Sequence, residues 1–320
     1  MKFINIRPEY EQLCTEVSYI LNKRLNEEAI EISNITMRAK KLDSFIQKIQ
    51  RKDYNDPLTE ITDFAGVRVV CLYRDDVKKN EEIIDKEFKI IDKVDKYGEM
   101  GTDRFGYGAV HYIVKLGRKS SGARYDDLKE IICEVQVRTV LQDAWAIIEH
   151  HLMYKQESDV PRVLQRKLNS LAGLFETADD QFFRIKQDRE AYIEDVRKER
   201  DTPTEFLLND LNFDTFEEYL KWKFPDLPVA FEKNHIKNIF FVINKYKLLN
   251  DLNETMDKST FCLQKTIEIL NRDDSQKRGH LCASAKLIIA LGINDNEILE
   301  HENMPKRWKN AIKVCKNEDL

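Results

Sequence analysis

The sequence predicts an α+β fold, in which a mixed β-sheet flanked by helices is followed by an all-helical domain. Seven of the ten glycines lie between residues 66 and 122, so the turns are concentrated in that stretch. The same stretch contains β-type apolar runs, whereas the sequence on either side has helical periodicity. Strands and turns enclosed by helical flanks are typical of a sheet that packs against helices.

The N-terminal flank predicts two helices separated by an extended segment. Residues 9–26 have an amphipathic helical pattern, and residues 32–38 form a short extended piece. Residues 41–52 place Leu42, Phe45, Ile46 and Ile49 at i, i+3, i+4 and i+7, which is the spacing of one helix face. Four strands are then expected, at residues 67–73, 89–94, 109–116 and 131–138.

The remainder of the chain is predicted to be helical. Helices are expected at residues 139–154 and 161–200, the second interrupted near Gly173. From residue 201 onward short helix-like segments are broken by prolines, which predicts a boundary near residue 200. We therefore expect a mixed domain at 1–200 and a helical accessory domain at 201–320. Oligomerisation, binding of a protein partner and autoinhibition all stay open as roles for the second domain.

Composition limits the classes of function. Lysine and arginine total 52 and acidic residues 57, which gives a formal net charge of -5. This balance excludes a protein that coats nucleic acid with a uniformly basic surface. No apolar run reaches the roughly 18 residues of a membrane span, and no signal peptide is apparent. The six cysteines are scattered without a C-x-x-C pair, so neither a disulfide framework nor a zinc site is expected. Cys71 and Cys133 are predicted to be small core residues. These features favour a cytoplasmic protein.

One short segment departs from the acidic average. Residues 37–52 contain six basic residues and one acidic residue. On the predicted helix, Ser44, Lys48 and either Arg51 or Lys52 lie opposite the apolar stripe. Such a stripe is either a solvated face or an anion site, and several lysine and arginine heads could converge on a polyphosphate.

Alternation in two strands places further polar residues on one face. Glu134, Gln136 and Arg138 point away from the apolar residues between them, and His111 and Lys115 do the same in another strand. An exposed sheet surface and the floor of a cleft both fit this pattern.

A pair of carboxylates completes the candidate chemistry. Asp63 precedes a buried strand, with Gly66 at the turn, and Glu134 lies within another strand. Together they could supply the oxygen ligands that Mg²⁺ takes when it bridges a protein and substrate phosphates. The minimum set for phosphoryl or pyrophosphoryl transfer is a pair of metal-binding carboxylates, a group of phosphate-binding cations and an aromatic residue on which a base can stack, here in a Gly-Tyr-Gly segment.

The order of these motifs resembles the synthetase domain of the RelA/SpoT family, and the small alarmone synthetases in particular. The resemblance covers roughly residues 30–190 and is carried by five segments in the family's order: Arg38-x-Lys40-x-x-x-Ser44-x-x-x-Lys48, the segment 61–68 (Ile-Thr-Asp-Phe-Ala-Gly-Val-Arg), the segment 105–112 (Phe-Gly-Tyr-Gly-Ala-Val-His-Tyr), the segment 134–139 (Glu-Val-Gln-Val-Arg-Thr) and the segment 144–150 (Ala-Trp-Ala-Ile-Ile-Glu-His). It implies a nucleotidyltransferase-like sheet. It also implies transfer of the β,γ-pyrophosphate of ATP to the 3′-hydroxyl of GDP or GTP, with release of AMP.

The resemblance also implies roles for single residues. Asp63 and Glu134 would bind Mg²⁺, and Glu134 would also orient or deprotonate the attacking hydroxyl. Glu149 and His150 match the motif at the end of the pocket, where structural hydrogen bonding and substrate contact both stay open. The ATP phosphates would be held by Arg38, Lys40, Ser44, Lys48 and Arg51, and the acceptor by Arg104, Tyr107, His111, Gln136 and Arg138, with Tyr107 stacking on the base.

One segment departs from the family pattern. The Pro-Lys usually found before the stacking tyrosine is absent from residues 96–107, where Arg104 could replace the cation. Acceptor choice therefore stays open: adenosine nucleotides and the 3′ end of tRNA, as in toxin-type relatives, are alternatives to guanosine nucleotides. A silent nucleotide sensor is a third alternative, disfavoured by the presence of both carboxylates. The family's hydrolase domain and long regulatory tail are expected to be absent, so the protein should make its product without degrading it.

Overall fold

The computed structural model describes residues 2–95, 108–152, 161–231, 233–272 and 281–318. The chain forms two compact units, Met1–Lys186 and Gln187–Leu320, which divide within a long helix. The functional boundary near residue 200 stays a prediction. In the described parts of the chain, no helix combines the length and apolarity that crossing a membrane requires.

The first unit is built on a five-stranded mixed sheet. Neighbouring strands follow the order β1-β2-β5-β4-β3, with β2 and β5 parallel and the other pairs antiparallel. The strands are β1 (Ile32–Ala39), β2 (Ala65–Cys71), β3 (Phe88–Asp95), β4 (Val110–Leu116) and β5 (Cys133–Thr139). Strands β2 to β5 correspond to the four strands expected from the sequence, and β1 to the segment expected to be extended, all within two residues at each end. The predicted fold class is confirmed.

Six helices accompany this sheet. They are α1 (Lys2–Glu27), α2 (Leu42–Arg51), α3 (Pro57–Glu60), α4 (Arg74–Glu87), α5 (Val140–Leu152) and α6 (Arg162–Glu199), and a 3-10 turn covers Asp126–Leu128. The expected interruption of α6 near Gly173 is wrong, because the helix is continuous there. Helix α4 was not predicted: it is dominated by charged residues, and only Val77, Ile83 and Ile84 give it an apolar side.

One face of the sheet is covered by α1 and α4. Leu13, Val17 and Leu21 of α1 pack with Ile83 and Ile84 of α4 onto the apolar side of the strands. That side consists of alternate strand residues, among them Val67, Val69, Tyr112, Val114, Val135 and Val137, all at most 1% exposed. Burial on this face therefore fixes the strand register, and it directs the intervening residues to the opposite face.

The second unit is helical, as predicted. Helix α12 forms its centre, with Leu287, Ile288 and Leu291 fully buried. Asn212 and Asp295 cap α8 and α13 through their side chains. The helices beyond α6 are α7 (Pro203–Phe206), α8 (Phe213–Lys223), α9 (Lys233–Lys245), α10 (Leu249–Lys258), α11 (Thr260–Arg272), α12 (Ala283–Asn294), α13 (Asn296–Glu300) and α14 (Lys306–Glu318).

The cysteines correct one expectation. Cys71 and Cys133 are fully buried core residues, as predicted. Cys262 and Cys315, however, form a disulfide between α11 and α14, with their Cα atoms 6.2 Å apart. The packing of two helices brings together residues 53 positions apart, and sequence spacing gave no signal for that pairing.

Candidate active site

The face of the sheet opposite α1 and α4 carries a row of polar side chains. Arg68 on β2 is in register with Gln136 on β5, and Gln136 is in register with His111 on β4. All three belong to the set of strand residues that points away from the covered face. The predicted polar face is thus assembled from three neighbouring strands.

The next row of the sheet brings a cation close to a carboxylate. Arg38 on β1 is in register with Gly66 on β2, and Gly66 with Glu134 on β5. A Cβ atom added to Gly66 would contact Arg38 Cγ at 3.8 Å, so the arginine side chain lies over the glycine. Arg38 therefore lies beside β2, on the side of the sheet where Glu134 is found.

Aromatic packing positions the basic helix α2. Phe45 stacks on Phe3 of α1 with ring centroids 4.5 Å apart and contacts Phe64, which precedes β2, at 5.5 Å. This packing holds the opposite side of the helix near the β1–β2 end of the sheet. Lys48 lies on that side and reaches Asp63, the residue before Phe64.

Asp63 is held by two lysines. Its carboxylate accepts hydrogen bonds from Lys40 Nζ at 2.6 Å and from Lys48 Nζ at 2.8 Å. Burial by itself would raise the pKa of Asp63, but the two ammonium groups outweigh it and hold the pKa below its usual value. The residue predicted to bind metal is therefore ionised and paired with two residues predicted to bind phosphate.

Glu134 has different partners. Its carboxylate lies 2.7 Å from His111 Nδ1 and accepts a hydrogen bond from Gln136 Nε2 at 3.1 Å. Burial raises the pKa of Glu134, but His111 and Gln136 outweigh it, so the net shift is downward. The charge of Asp63 also acts to raise this pKa, which means that the two carboxylates interact. Two residues predicted for the acceptor side thus form one hydrogen-bonded group with a carboxylate predicted to bind metal.

Three cavities that share Arg38 connect these groups into a cleft. The first, of about 440 Å³, is lined by all five residues predicted to hold ATP, together with Asp63 and His150. The second, of about 230 Å³, joins Arg38 to Glu134 and Gln136. The third, of about 500 Å³, extends from Arg38 to α5. Its lining includes Arg68, Gln136, Arg138, Ala146, Ile147 and His150.

A second ionic network lies beneath the third cavity. Asp143 on α5 accepts a hydrogen bond from Arg68 Nη1 at 3.0 Å and has Arg138 Nη1 at 3.5 Å. Arg138 also donates to the side-chain oxygen of Gln136. Burial and the charge of Arg68 lower the pKa of Arg138 to about 10. Neither Arg68 nor Asp143 was predicted from the sequence to have a role in the site. Strand alternation could have found Arg68, which lies two residues beyond Gly66 on the same face.

The remaining predicted residues have mixed outcomes. His150 lines two of the three cavities, and Glu149 is half-buried on the same helix. Arg104 and Tyr107 lie outside the described residues, so their predicted contacts with the acceptor stay predictions.

The donor set fits a cation that relies on its substrate for ligands. Among the residues that the structure describes, no three histidine, cysteine or acidic side chains converge as metal ligands. Asp63 and Glu134 provide two ionised, partly buried carboxylates beside a basic cavity. Mg²⁺ is typically bound by one or two carboxylates together with substrate phosphates and water, so these residues suit it.

Comparison with known proteins identifies relatives of the first unit. Residues 37–159 match the family described as the region found in RelA / SpoT proteins. The chain is 29% identical over 160 residues to the GTP pyrophosphokinase YjbM of Bacillus subtilis, covering 48% of this chain and 72% of the relative. It is 27% identical over 163 residues to the GTP pyrophosphokinase YwaC of the same organism, covering 49% and 75%.

Solved structures agree on the fold. The crystal structure of small alarmone synthetase 1 from Bacillus subtilis superposes with a TM-score of 0.50 at 24% identity, covering 59% of this chain and 98% of that one. A GTP pyrophosphokinase family protein from Streptococcus pneumoniae gives a TM-score of 0.50 at 25% identity, covering 60% and 96%. These likenesses concern the sheet and its flanking helices.

Proposed function

Because this chain carries a RelA/SpoT region homologous to the small alarmone synthetases, we propose that it is an ATP-dependent pyrophosphokinase that makes a (p)ppGpp-type alarmone. The β,γ-pyrophosphate of ATP is transferred to the 3′-oxygen of GDP or GTP. A new bond forms between that oxygen and the β-phosphorus. The bond between the β-phosphorus and the oxygen that bridges it to the α-phosphorus breaks, and AMP leaves with the bridging oxygen. The hydroxyl proton passes to a base or to water.

The first cavity suits the polyphosphate of ATP. It joins cations from β1 and α2 with the hydroxyl of Ser44. Attack on a phosphorus surrounded by negative oxygens depends on counter-charge and in-line placement more than on a strong base. Arg38, Lys40, Lys48 and Arg51 supply that charge from more than one direction. On binding, Lys40 and Lys48 would turn from Asp63 to the phosphoryl oxygens.

Asp63 and Glu134 are the residues that would hold Mg²⁺. When bound, the ion would neutralise phosphate charge and fix the orientation of the pyrophosphate. Both carboxylates have lowered pKa values and so present full negative charge at neutral pH. Neither requires a proton to be removed before a cation or a hydroxyl group approaches.

The acceptor is assigned to the side of Glu134 that faces β4. His111 and Gln136 hold the Glu134 carboxylate there, and Arg138 supports Gln136 from below. In that position Glu134 would orient or deprotonate the 3′-hydroxyl, and His111 would approach the acceptor ribose or phosphates. Arg104 and Tyr107 would complete the acceptor site, with Tyr107 stacking on the base.

The observation that carries the proposal is the lining of the first two cavities. They share Arg38, and together they join the five predicted phosphate-binding residues to both carboxylates. A groove for several phosphates beside two ionised acids suits a nucleotide polyphosphate and a divalent cation. It supports enzyme chemistry over a silent sensor, which would have no need of both acids.

The test is a transfer assay with resolved products. Purified protein, Mg²⁺ and ATP labelled in its β- and γ-phosphates are incubated separately with GDP, GTP, ADP and deacylated tRNA. Label on GDP or GTP, with release of AMP, is the expected result. Label only on ADP or tRNA would keep the chemistry and reject the guanosine acceptor. Nucleotide binding without transfer to any acceptor would reject the enzyme proposal.

A further inference from the structure

A second charged groove lies at the other end of the β3–β4 hairpin. It has a volume of about 720 Å³ and shares no lining residue with the three cavities of the cleft. Lys115 in this groove lies four positions after His111 on β4, about 14 Å along an antiparallel strand. Among the residues that the structure describes, the acidic ones that line the groove are Glu87 and Glu130. Its basic lining residues are Lys86, Lys89, Lys115, Arg118, Lys119 and Lys129.

Two of these lysines occupy directly opposed positions on neighbouring strands. Lys89 on β3 is in register with Lys115 on β4. Like charges in directly opposed positions destabilise an antiparallel pair. Lys115 Nζ pairs with Glu130 at 2.7 Å and lowers the pKa of that carboxylate, and the charge of Lys89, which makes no such contact, acts in the same direction. The opposed pair of lysines therefore keeps positive charge at the groove and lowers the stability of the β3–β4 pairing.

The turn after β4 adds further cations. Glu87 is largely buried and already pairs with Lys119 and Arg24, each at 3.1 Å. A Cβ atom on Gly117 would lie 2.0 Å from the carbonyl oxygen of Glu87, so only glycine allows the turn to pack this closely on the end of α4. That contact holds Arg118 and Lys119 at the groove.

The excess positive charge is accessible. Lys86 and Lys129 have acidic partners at the rim, Glu28 and Asp126. For Lys89 and Arg118, both exposed, the described part of the chain provides no ion pair. Free lysine and arginine heads around a wide groove are suited to phosphate groups.

The groove lacks what a protein partner or a stacked single strand would need. Its two large apolar lining residues, Phe88 and Leu116, are 5% and 6% exposed and so are buried beneath the charged heads. Protein interfaces generally have an apolar centre, and binding of single strands relies on exposed aromatic rings. We propose that this groove binds the phosphate backbone of a nucleic-acid duplex without reading its sequence.

The test measures binding of labelled duplexes by fluorescence anisotropy. Duplexes of RNA and of DNA, each of about 20 base pairs with unrelated sequence, are titrated with the full chain at salt concentrations from roughly 50 to 200 mM. We expect both to bind, with affinity falling linearly on a log–log plot. Replacing Lys89 and Arg118 together by alanine should reduce that slope by about 2, since each phosphate contact contributes roughly 0.9.

Matched variants separate this groove from general electrostatics. Replacing Arg166 and Lys167, an exposed pair on α6, removes the same charge and should leave the slope unchanged. The swap Lys89→Arg with Arg118→Lys should retain the wild-type slope, because charge alone is required. Circular dichroism confirms that each variant is folded.

Three results would overturn the proposal. The first is no binding of either duplex at the lowest salt concentration. The second is the same slope for the groove variant and the α6 variant, which would place the contacts elsewhere, including the basic cleft. The third is complete competition by inorganic triphosphate at equal phosphate concentration, which would identify a site for small anions.

Discussion

The two faces of the sheet in the first unit have opposite compositions, although each strand contributes to both. The covered face consists of apolar residues beneath α1 and α4, while the other carries Arg68, His111, Glu134 and Gln136. One face stabilises the fold, and the other holds charged groups close together, where they would repel or attract a ligand strongly. Substitutions on the two faces should therefore have separable effects on stability and on activity.

The largest effect is expected on the polar face. Glu134→Gln removes one negative charge and keeps the shape of the side chain. We expect pyrophosphate transfer to fall on the order of 10³-fold, about 4 kcal/mol, because the carboxylate can no longer hold a cation or accept a proton. Initial rates with saturating ATP and GDP measure this loss, and thermal unfolding should shift little.

Glu82→Gln, at an exposed position of α4, is the matched control and should keep full activity. A Glu134→Gln enzyme that retains wild-type rates would show that the polar face is not the catalytic one.

The covered face should show the reverse behaviour. Leu21→Ala truncates a fully buried side chain of α1 and leaves a cavity against the sheet. We expect the free energy of unfolding to fall by about 3 kcal/mol, within the range of roughly 2 to 5 for buried leucines. Urea unfolding measures this change. Well below the unfolding midpoint, kcat should stay close to that of the wild type, whereas a large fall in the kcat of folded protein would mean that the two faces are coupled.

A smaller effect is expected from the network beneath the third cavity. Asp143→Asn removes the charge that pairs with Arg68 and lies near Arg138. Without it the two guanidinium groups repel each other, and Arg68 loses its fixed position in the cleft. We expect kcat/KM for ATP to fall by about tenfold, roughly 1.4 kcal/mol. Asp127→Asn, at an exposed position, serves as the control, and equal kinetics in the two variants would refute a positioning role for Asp143.

The smallest effect is expected at Asp179, a buried acidic residue on the otherwise apolar side of the sheet. Asp179 of α6 accepts a hydrogen bond from Thr139 Oγ1 at 2.7 Å, and burial raises its pKa to about 7 in spite of the opposing charge of Arg74. Since this pKa lies above that of an unfolded aspartate, the associated stability is complete below pH 4 and is lost as pH rises through 7. Asp179→Asn should therefore gain Tm relative to the wild type between pH 5 and pH 8, by a few degrees. A Tm difference that does not change with pH would contradict the assignment.

Local sequence patterns were sufficient for most of the first unit. Alternation in residues 109–116 and 131–138 predicted β4, β5 and the side on which His111 and Glu134 lie, because a strand has only two faces. Helix α4 escaped prediction, since Ile83 and Ile84 are a small apolar minority among charges. Its burial depends on the sheet beneath it, which periodicity within the segment does not contain.

In the site, too, residues with a local sequence pattern could be predicted, whereas pairs that depend on packing between elements could not. A common phosphate site could be predicted from the sequence because its residues lie close together there and resemble a family motif, and the structure places them around one cavity: Arg38, Lys40, Ser44, Lys48 and Arg51. The pairing of Arg68 with Asp143 joins positions 75 residues apart. It depends on how α5 packs against β2, as the Cys262–Cys315 pair depends on how α11 meets α14. Contacts made by packing between elements have no local signature, so neither pairing could be predicted.

The two lysines bound to Asp63 would couple the binding of the proposed cation to that of ATP. A cation that bound Asp63 would release two ammonium groups, and a phosphate that bound those groups would release Asp63. Each ligand would thereby remove a competitor of the other. Such linkage is reciprocal, so the affinity for ATP should rise with cation concentration by the same factor by which the cation's affinity rises with ATP.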